Sequence, residues 1–163
     1  MRSGSEIPGP DLPGVVAAAN AAGLETVVIG TFAAIAHGRI RATKDSNLLV
    51  AESSEADAAI VRFLASVNAV RFGETTGFEA ADLEGATDLH ADSGLGSMHL
   101  HRGLPEPLDF ETVSSEAIEA ELRGVPLRVA SLRATVTFMR RSDRGQARID
   151  LEMLERVHGY LPH

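Results

Sequence analysis

Asp45 and Asn47 stand two residues apart at the head of an apolar run, Asp45-Ser46-Asn47-Leu48-Leu49-Val50. In a strand, residues i and i+2 project to the same face. A carboxylate and a carboxamide would therefore present their oxygens together, with Ser46 turned away. Oxygen donors of this kind suit a hard divalent cation. Upstream, the apolar, β-branched stretch Glu25–Ile29 ends in Gly30-Thr31. A glycine at a strand end lets the backbone approach a phosphate closely, and N–H groups at the start of a helix add donors and a favourable dipole. The first feature suits a metal ion and the second a phosphorylated ligand.

The elements that would position this place follow from hydrophobic periodicity and from capping and turn residues. Asp11–Ala22 reads as a helix, with Leu12, Val15, Val16 and Ala19 on one face and Gly23 as its stop. Glu25–Ile29 and Asn47–Val50 read as buried strands, with a short helix from Thr31 to His37 between them. Ser54 is expected to cap a helix carrying Ile60, Phe63, Leu64 and Val67. Val67–Phe72, Ala86–Ala91 and Val125–Val129 read as strands. Ala117–Leu122 alternates like a strand, although Ser114–Glu121 would also serve as a helix. Ser93–Pro107, rich in Gly and Pro, reads as an irregular loop. Ser131 caps a helix to about Arg141, and a second runs from about Gln146 to His158 with Ile149, Leu151, Leu154 and Val157 as its apolar set. Residues 1–12 read as a flexible lead-in, and 13–163 as a single domain ending in a helical hairpin over 131–163. The order implies an α/β chain with a mixed sheet, helices on one side and that hairpin closing it.

The run Val27–Val50, VVIGTFAAIAHGRIRATKDSNLLV, resembles the opening of the polymerase-β-type nucleotidyltransferase superfamily. There a Gly-Gly or Gly-Ser pair ends one strand, and two carboxylates spaced i, i+2 start the next. Gly30 and Thr31 match the pair, residues 32–44 fill the usual gap, and Asp45 matches the first carboxylate. Asn47 stands in place of the second. Asp88, in ATDLHADSG, matches the third, which members carry on a later strand; it is expected on a strand beside the one bearing Asp45. HGRIRATKD is similar to small nucleotidyltransferase-like proteins related to the AbiEii toxin family. So is the C-terminal segment, where Arg144, Asp150 and Leu151 match, while Met139 and Gln146-Ala147 replace common Lys and Lys-Asp residues.

The resemblance implies metal-dependent transfer of a nucleotidyl group from an NTP to a hydroxyl on a small molecule, protein or RNA. Asp45, Asn47 and Asp88 would hold Mg²⁺, Gly30 and Thr31 would meet the phosphates, and Arg41 or Lys44 would neutralise charge, with Arg39 nearby. Asn47 keeps an oxygen but brings no charge, which weakens a site where two cations repel. The alternative is a catalytically degenerate member that binds a nucleotide or a protein partner, as a bacterial toxin–antitoxin component would.

The rest of the composition narrows the classes. The 163 residues are 44% hydrophobic, enough for a core, and carry no cysteine, which rules out disulfides and thiolate zinc and fits a cytoplasmic protein. A net charge of −8 opposes an extended nucleic-acid surface. No apolar run approaches the roughly 20 residues that span a bilayer. Arg140, Arg141, Arg144 and Arg148 cluster at a helix turn, where positive charge is favourable in itself. His90, His99 and His101 could invite a metal, but they lack a His-Glu-x-x-His spacing and read as incidental residues of a surface loop. No Walker, Gly-x-Ser-x-Gly or dinucleotide glycine motif occurs.

Overall fold

The structure, a computed structural model, describes residues 8–142 and 144–163. Residues 1–7 of the expected lead-in lie outside the described residues. Asp11 accepts a hydrogen bond from the Gly14 N–H and opens helix α1, Leu12–Ala21. Its buried face is Leu12, Val15, Val16 and Ala19, as the periodicity predicts. Strand β1, Val27–Ile29, is buried at every residue. Helix α2, Gly30–Ala36, follows it without a break. It begins at Gly30 rather than under a Thr31 cap, and no side chain caps it. Strand β2 runs Asp45–Leu49, two residues earlier than expected, so Asp45 lies within the strand. Helix α3, Ser54–Ser66, takes its cap from Ser53, one residue before the predicted Ser54.

Strand β3 is only Val70–Arg71, and a 3-10 turn occupies Ala80–Leu83 in the acidic segment. Strands β4, Asp88–Ser93, and β5, Gly96–His101, form a hairpin. The expectation of an irregular loop over 93–107 is therefore wrong for its first half. Gly96 permits the turn with φ of 97°, and Ser97-Met98-His99-Leu100-His101 then alternates half-buried and buried side chains. That alternation is the period-two signature of a strand, and the flanking glycines and prolines masked it.

The ambiguity near residue 117 resolves into both elements in succession. Helix α4 is Phe110–Ser115 and strand β6 is Ile118–Leu122, paired antiparallel with β7, Val125–Val129. Ser131 caps α5, Leu132–Arg140, and α6 spans Gly145–His158. The apolar set assigned to α6 needs correction. Ile149 and Val157 are 49% and 54% exposed, whereas Ala147, Asp150 and Leu154 are buried. The helix turns a carboxylate inward, and a hydrophobicity pattern does not mark such a face.

Among the described residues the strands form one seven-stranded mixed sheet in the order β3-β4-β5-β2-β1-β7-β6. β2 pairs antiparallel with β1 and parallel with β5. The main core gathers Val15, Val16, Val28, Leu48, Ile60, Phe63 and Leu100. A smaller cluster of Ala34, Val136, Met139, Ala147 and Leu154 joins α2 to the α5–α6 hairpin. That joint holds the C-terminal helices over the end of β1, where Gly30 begins.

Candidate functional site

Gly30 has a positive φ of 71°, which a side chain would strain. A Cβ there would also stand 3.0 Å from Asn47 Cβ. The glycine thus lets the β1–α2 turn press directly on β2, on the face that carries Asp45 and Asn47. Both β2 side chains are half-buried, while Ser46 between them is fully buried on the other side. Asn47 thus meets Gly30, and Asp45 lies on the same strand face, as the resemblance implies.

Asn47 has both ends of its amide engaged. Its Nδ2 donates to Asp45 Oδ1 at 2.9 Å, and its Oδ1 lies 2.9 Å from His101 Nε2. Asp45 Oδ2 lies 3.3 Å from His99 Nε2. The opposite nitrogen of that ring, Nδ1, lies 2.9 Å from Asp88 Oδ1. His99 therefore bridges two carboxylates. Asp88 lies on β4, and β5 intervenes between β4 and β2. The expectation of Asp88 on the strand beside Asp45 is corrected: that strand is β5, and the residues it turns to this face are Ser97, His99 and His101. Strand order depends on long-range pairing, which local periodicity does not encode.

The three histidines are not incidental loop residues. His90 stacks on His99 at 3.8 Å between ring centroids, and Phe72 stacks on His90 at 3.9 Å. Cross-strand ring pairs of this kind fix rotamers and stabilise a sheet face. Their environments differ in charge. Burial alone would lower the pKa of His99, but hydrogen bonds and charge from Asp45 and Asp88 outweigh it and raise the value. Burial lowers the pKa of His101 and of His90, helped by the charge of His99. The hydrogen bond from His99 holds Asp45 below the usual carboxylate value; partial burial opposes this and the Asn47 amide reinforces it.

Gly30 also lines a cleft of about 180 Å³, with Thr31, Arg41, Thr135, Arg144 and Asp150 among the other lining residues. Asp150 anchors it. Arg39 Nε donates to Asp150 Oδ1 at 2.9 Å, Arg41 Nη1 to Oδ2 at 3.1 Å, and Gln146 Nε2 to Oδ1 at 3.1 Å. The basic turn is thereby tied to α6, and Arg41 reaches the cleft with its guanidinium already paired. Lys44 is exposed and does not line the cleft. Thr135 Oγ1 is buried there with no hydrogen-bond partner among the described residues. Sequence reasoning found Arg41 but treated Asp150 only as part of a motif; its anchoring role had no local signal. A larger, shallower hollow of about 860 Å³ lies at α1, β6 and β7, lined by Val16, Asn20, Glu119 and Arg128. It contains none of the predicted site residues, so its size alone carries no functional argument.

Mg²⁺ is the ion the resemblance implies, and the donor set does not fit it well. A hard ion asks for several oxygens. Here Asp45 has Asn47 and His99 at its two oxygens, Asn47 is bound at both ends, and the His99 imidazole separates Asp45 from Asp88.

The sheet, with its glycine turn facing two polar β2 residues and a C-terminal helical hairpin, has a nucleotidyltransferase-like fold. Two similar solved structures are both of ANT(2'')-Ia. The crystal structure in complex with adenylyl-2''-tobramycin shares 15% identity at a TM-score of 0.57, covering 89% of this chain and 86% of that one. The solution structure, of an antibiotic-resistance factor with substrate-regulated conformation dynamics, shares 16% identity at a TM-score of 0.59, covering 89% and 80%. At this identity the likeness is one of fold. No family model matches the chain, and no curated protein matches it in sequence. Among the described residues no helix is long and apolar enough to cross a membrane.

Proposed function

We propose that the chain is a nucleotide-binding protein on a nucleotidyltransferase scaffold whose catalytic centre is degenerate. The phosphates of an NTP would run along the Gly30-Thr31 backbone into the cleft, with Arg41 and Arg144 offering positive charge. The observation that carries this reading is the Asn47 amide. It is locked between Asp45 and His101 at the position where transfer chemistry needs a second negative charge. Two crowded divalent ions without that charge repel each other more than the remaining ligands offset. Output would then be binding of a nucleotide or a protein partner. A bacterial, cytoplasmic component of the AbiEii toxin–antitoxin kind fits the residues shared around HGRIRATKD and the C-terminal hairpin.

A second reading, metal-dependent nucleotidyl transfer, is favoured by one feature. Asp45 is held ionised and half-exposed beside Gly30. In that reaction an acceptor hydroxyl forms a bond to the α-phosphorus, loses its proton, and pyrophosphate leaves. Incubation with α-labelled NTPs, Mg²⁺ or Mn²⁺ and candidate small-molecule, protein and RNA acceptors separates the two. The first reading expects NTP binding with no labelled product. Sustained pyrophosphate release by the natural Asn47 form would establish the second.

A further inference from the structure

We propose that the half-buried face of β4 and β5 is a binding site for a borderline divalent transition metal of the Zn²⁺ class, held by Asp88, His99 and His101. One ligand atom from each of these residues lies within 4.8 Å of the others. Two imidazoles and a carboxylate form a set that Zn²⁺ and Co²⁺ accept readily, and that differs in kind from the all-oxygen shell of Mg²⁺. Three protein ligands leave a fourth position open to water or to a ligand's oxygen.

The surroundings have the form that metal-bound histidines require. A ligating imidazole needs an acceptor on its other nitrogen to fix tautomer and ring orientation. Strand β2 supplies that partner twice. Asp45 Oδ2 faces His99 Nε2 at 3.3 Å, while the Asp88 carboxylate faces the opposite nitrogen of the same ring. Asn47 Oδ1 faces His101 Nε2 at 2.9 Å. The ring of His99 is further held by its stack on His90. Asp45 and Asn47, in this arrangement, are not the metal's ligands but the groups that aim its ligands. The site lies outside the Arg41–Asp150 cleft, so the inference does not depend on nucleotide binding there.

The test is calorimetric titration of chelator-stripped, nucleotide-free protein with Zn²⁺, Co²⁺ and Mg²⁺ in turn. Zn²⁺ and Co²⁺ should bind at one ion per chain, and Mg²⁺ at least about tenfold more weakly. Co²⁺ should show the intense visible absorption of low-coordinate geometry. Asp88→Asn, His99→Gln and His101→Gln should each weaken Zn²⁺ by at least about tenfold. Asp88 is exposed, so Asp88→Asn keeps the test open if a histidine variant fails to fold. Equal binding of Mg²⁺ and Zn²⁺, no Zn²⁺ binding at all, or Zn²⁺ affinity unchanged in folded Asp88→Asn would overturn the proposal. Because no nucleotide is present, any of these results leaves the nucleotide-binding reading to its own experiment.

Discussion

The two regions that adjoin Gly30, the cleft and the sheet face, are built by different means. On the cleft side the functional elements are a backbone turn and a guanidinium pair anchored by a buried carboxylate. On the sheet side they are side chains on three adjacent strands. The cleft side has the features on which the proposed phosphate binding rests: a glycine at φ 71° and arginines held by Asp150. The sheet side keeps Asp45 and Asp88 but presents an amide at position 47, where the resemblance leads one to expect a carboxylate, and sets the His99 imidazole between the two acids. A scaffold can therefore keep the place for a ligand while the chemistry beside that place changes, because each rests on separate interactions.

The largest expected effect tests the cleft side. Asp150→Ala strips a buried acceptor from Arg39, Arg41 and Gln146 and should destabilise the protein by about 3 kcal/mol, the low end of the cost of breaking a buried pair, because both arginines keep part of their surface in water. Urea denaturation measures it. A cost below about 1 kcal/mol would mean the pair behaves as an exposed one, and the anchored-cleft picture would fail.

Next in size is Gly30→Ala. A positive φ and a 3.0 Å approach to Asn47 together predict a loss of about 1–3 kcal/mol. The same variant should abolish binding of a non-hydrolysable NTP, and it should weaken Zn²⁺ binding to a smaller degree, because the added Cβ presses on Asn47, which holds His101. Unchanged NTP binding in the folded variant would show that the Gly30 turn does not meet the phosphates.

Asn47→Asp probes the boundary. It replaces the amide donor to Asp45 with a like charge and completes a carboxylate pair on one strand face. Affinity for Mg²⁺ and Mn²⁺ should rise by at least about tenfold, since charged contacts to a cation exceed neutral ones. NTP binding should become more dependent on those ions, as titrations with and without them would reveal. No change in either would show that position 47 does not face the cation.

The smallest effect is in pH. His99 has a raised folded pKa, so its stabilisation is fully present below the ordinary 6.5 and is lost as pH rises through the raised value. Asp45 has a lowered pKa, so its contribution is present above 3.8 and lost as pH falls through the lowered value. The pair is strongest in the window between those ordinary values. His99→Gln, compared with the natural protein in chelator, should therefore lose more stability at about pH 5.5 than at about pH 8.5. The difference should be under about 1 kcal/mol for a half-exposed pair. His90 and His101 resist protonation chiefly through burial, which is the same in both proteins; the part due to the charge of His99 is relieved in His99→Gln and reduces the difference.

The i, i+2 spacing made the shared face of Asp45 and Asn47 legible as a local signal, while the approach of Gly30 to that face was implied by the family resemblance. The class of sheet followed from the same signals. What stayed hidden was non-local or masked. The position of β5 between β2 and β4 depends on pairing across the chain. His99 and His101 lay in a segment whose glycines and prolines suggested a loop, although buried Met98 and Leu100 alternate with them and could have revealed the strand. Asp150 was hidden because a buried charge is defined by its partners, and Arg39 and Arg41 lie more than a hundred residues away.

The most direct test of a retained phosphate side beside an altered cation side is titration of a non-hydrolysable NTP into the natural protein under chelator, repeated with Mg²⁺. The account predicts measurable binding without metal, little strengthened by Mg²⁺ and absent in Gly30→Ala. Binding that appears only with Mg²⁺ and is lost in Asp45→Asn would contradict it, and would mean that the carboxylate centre still holds the nucleotide's metal.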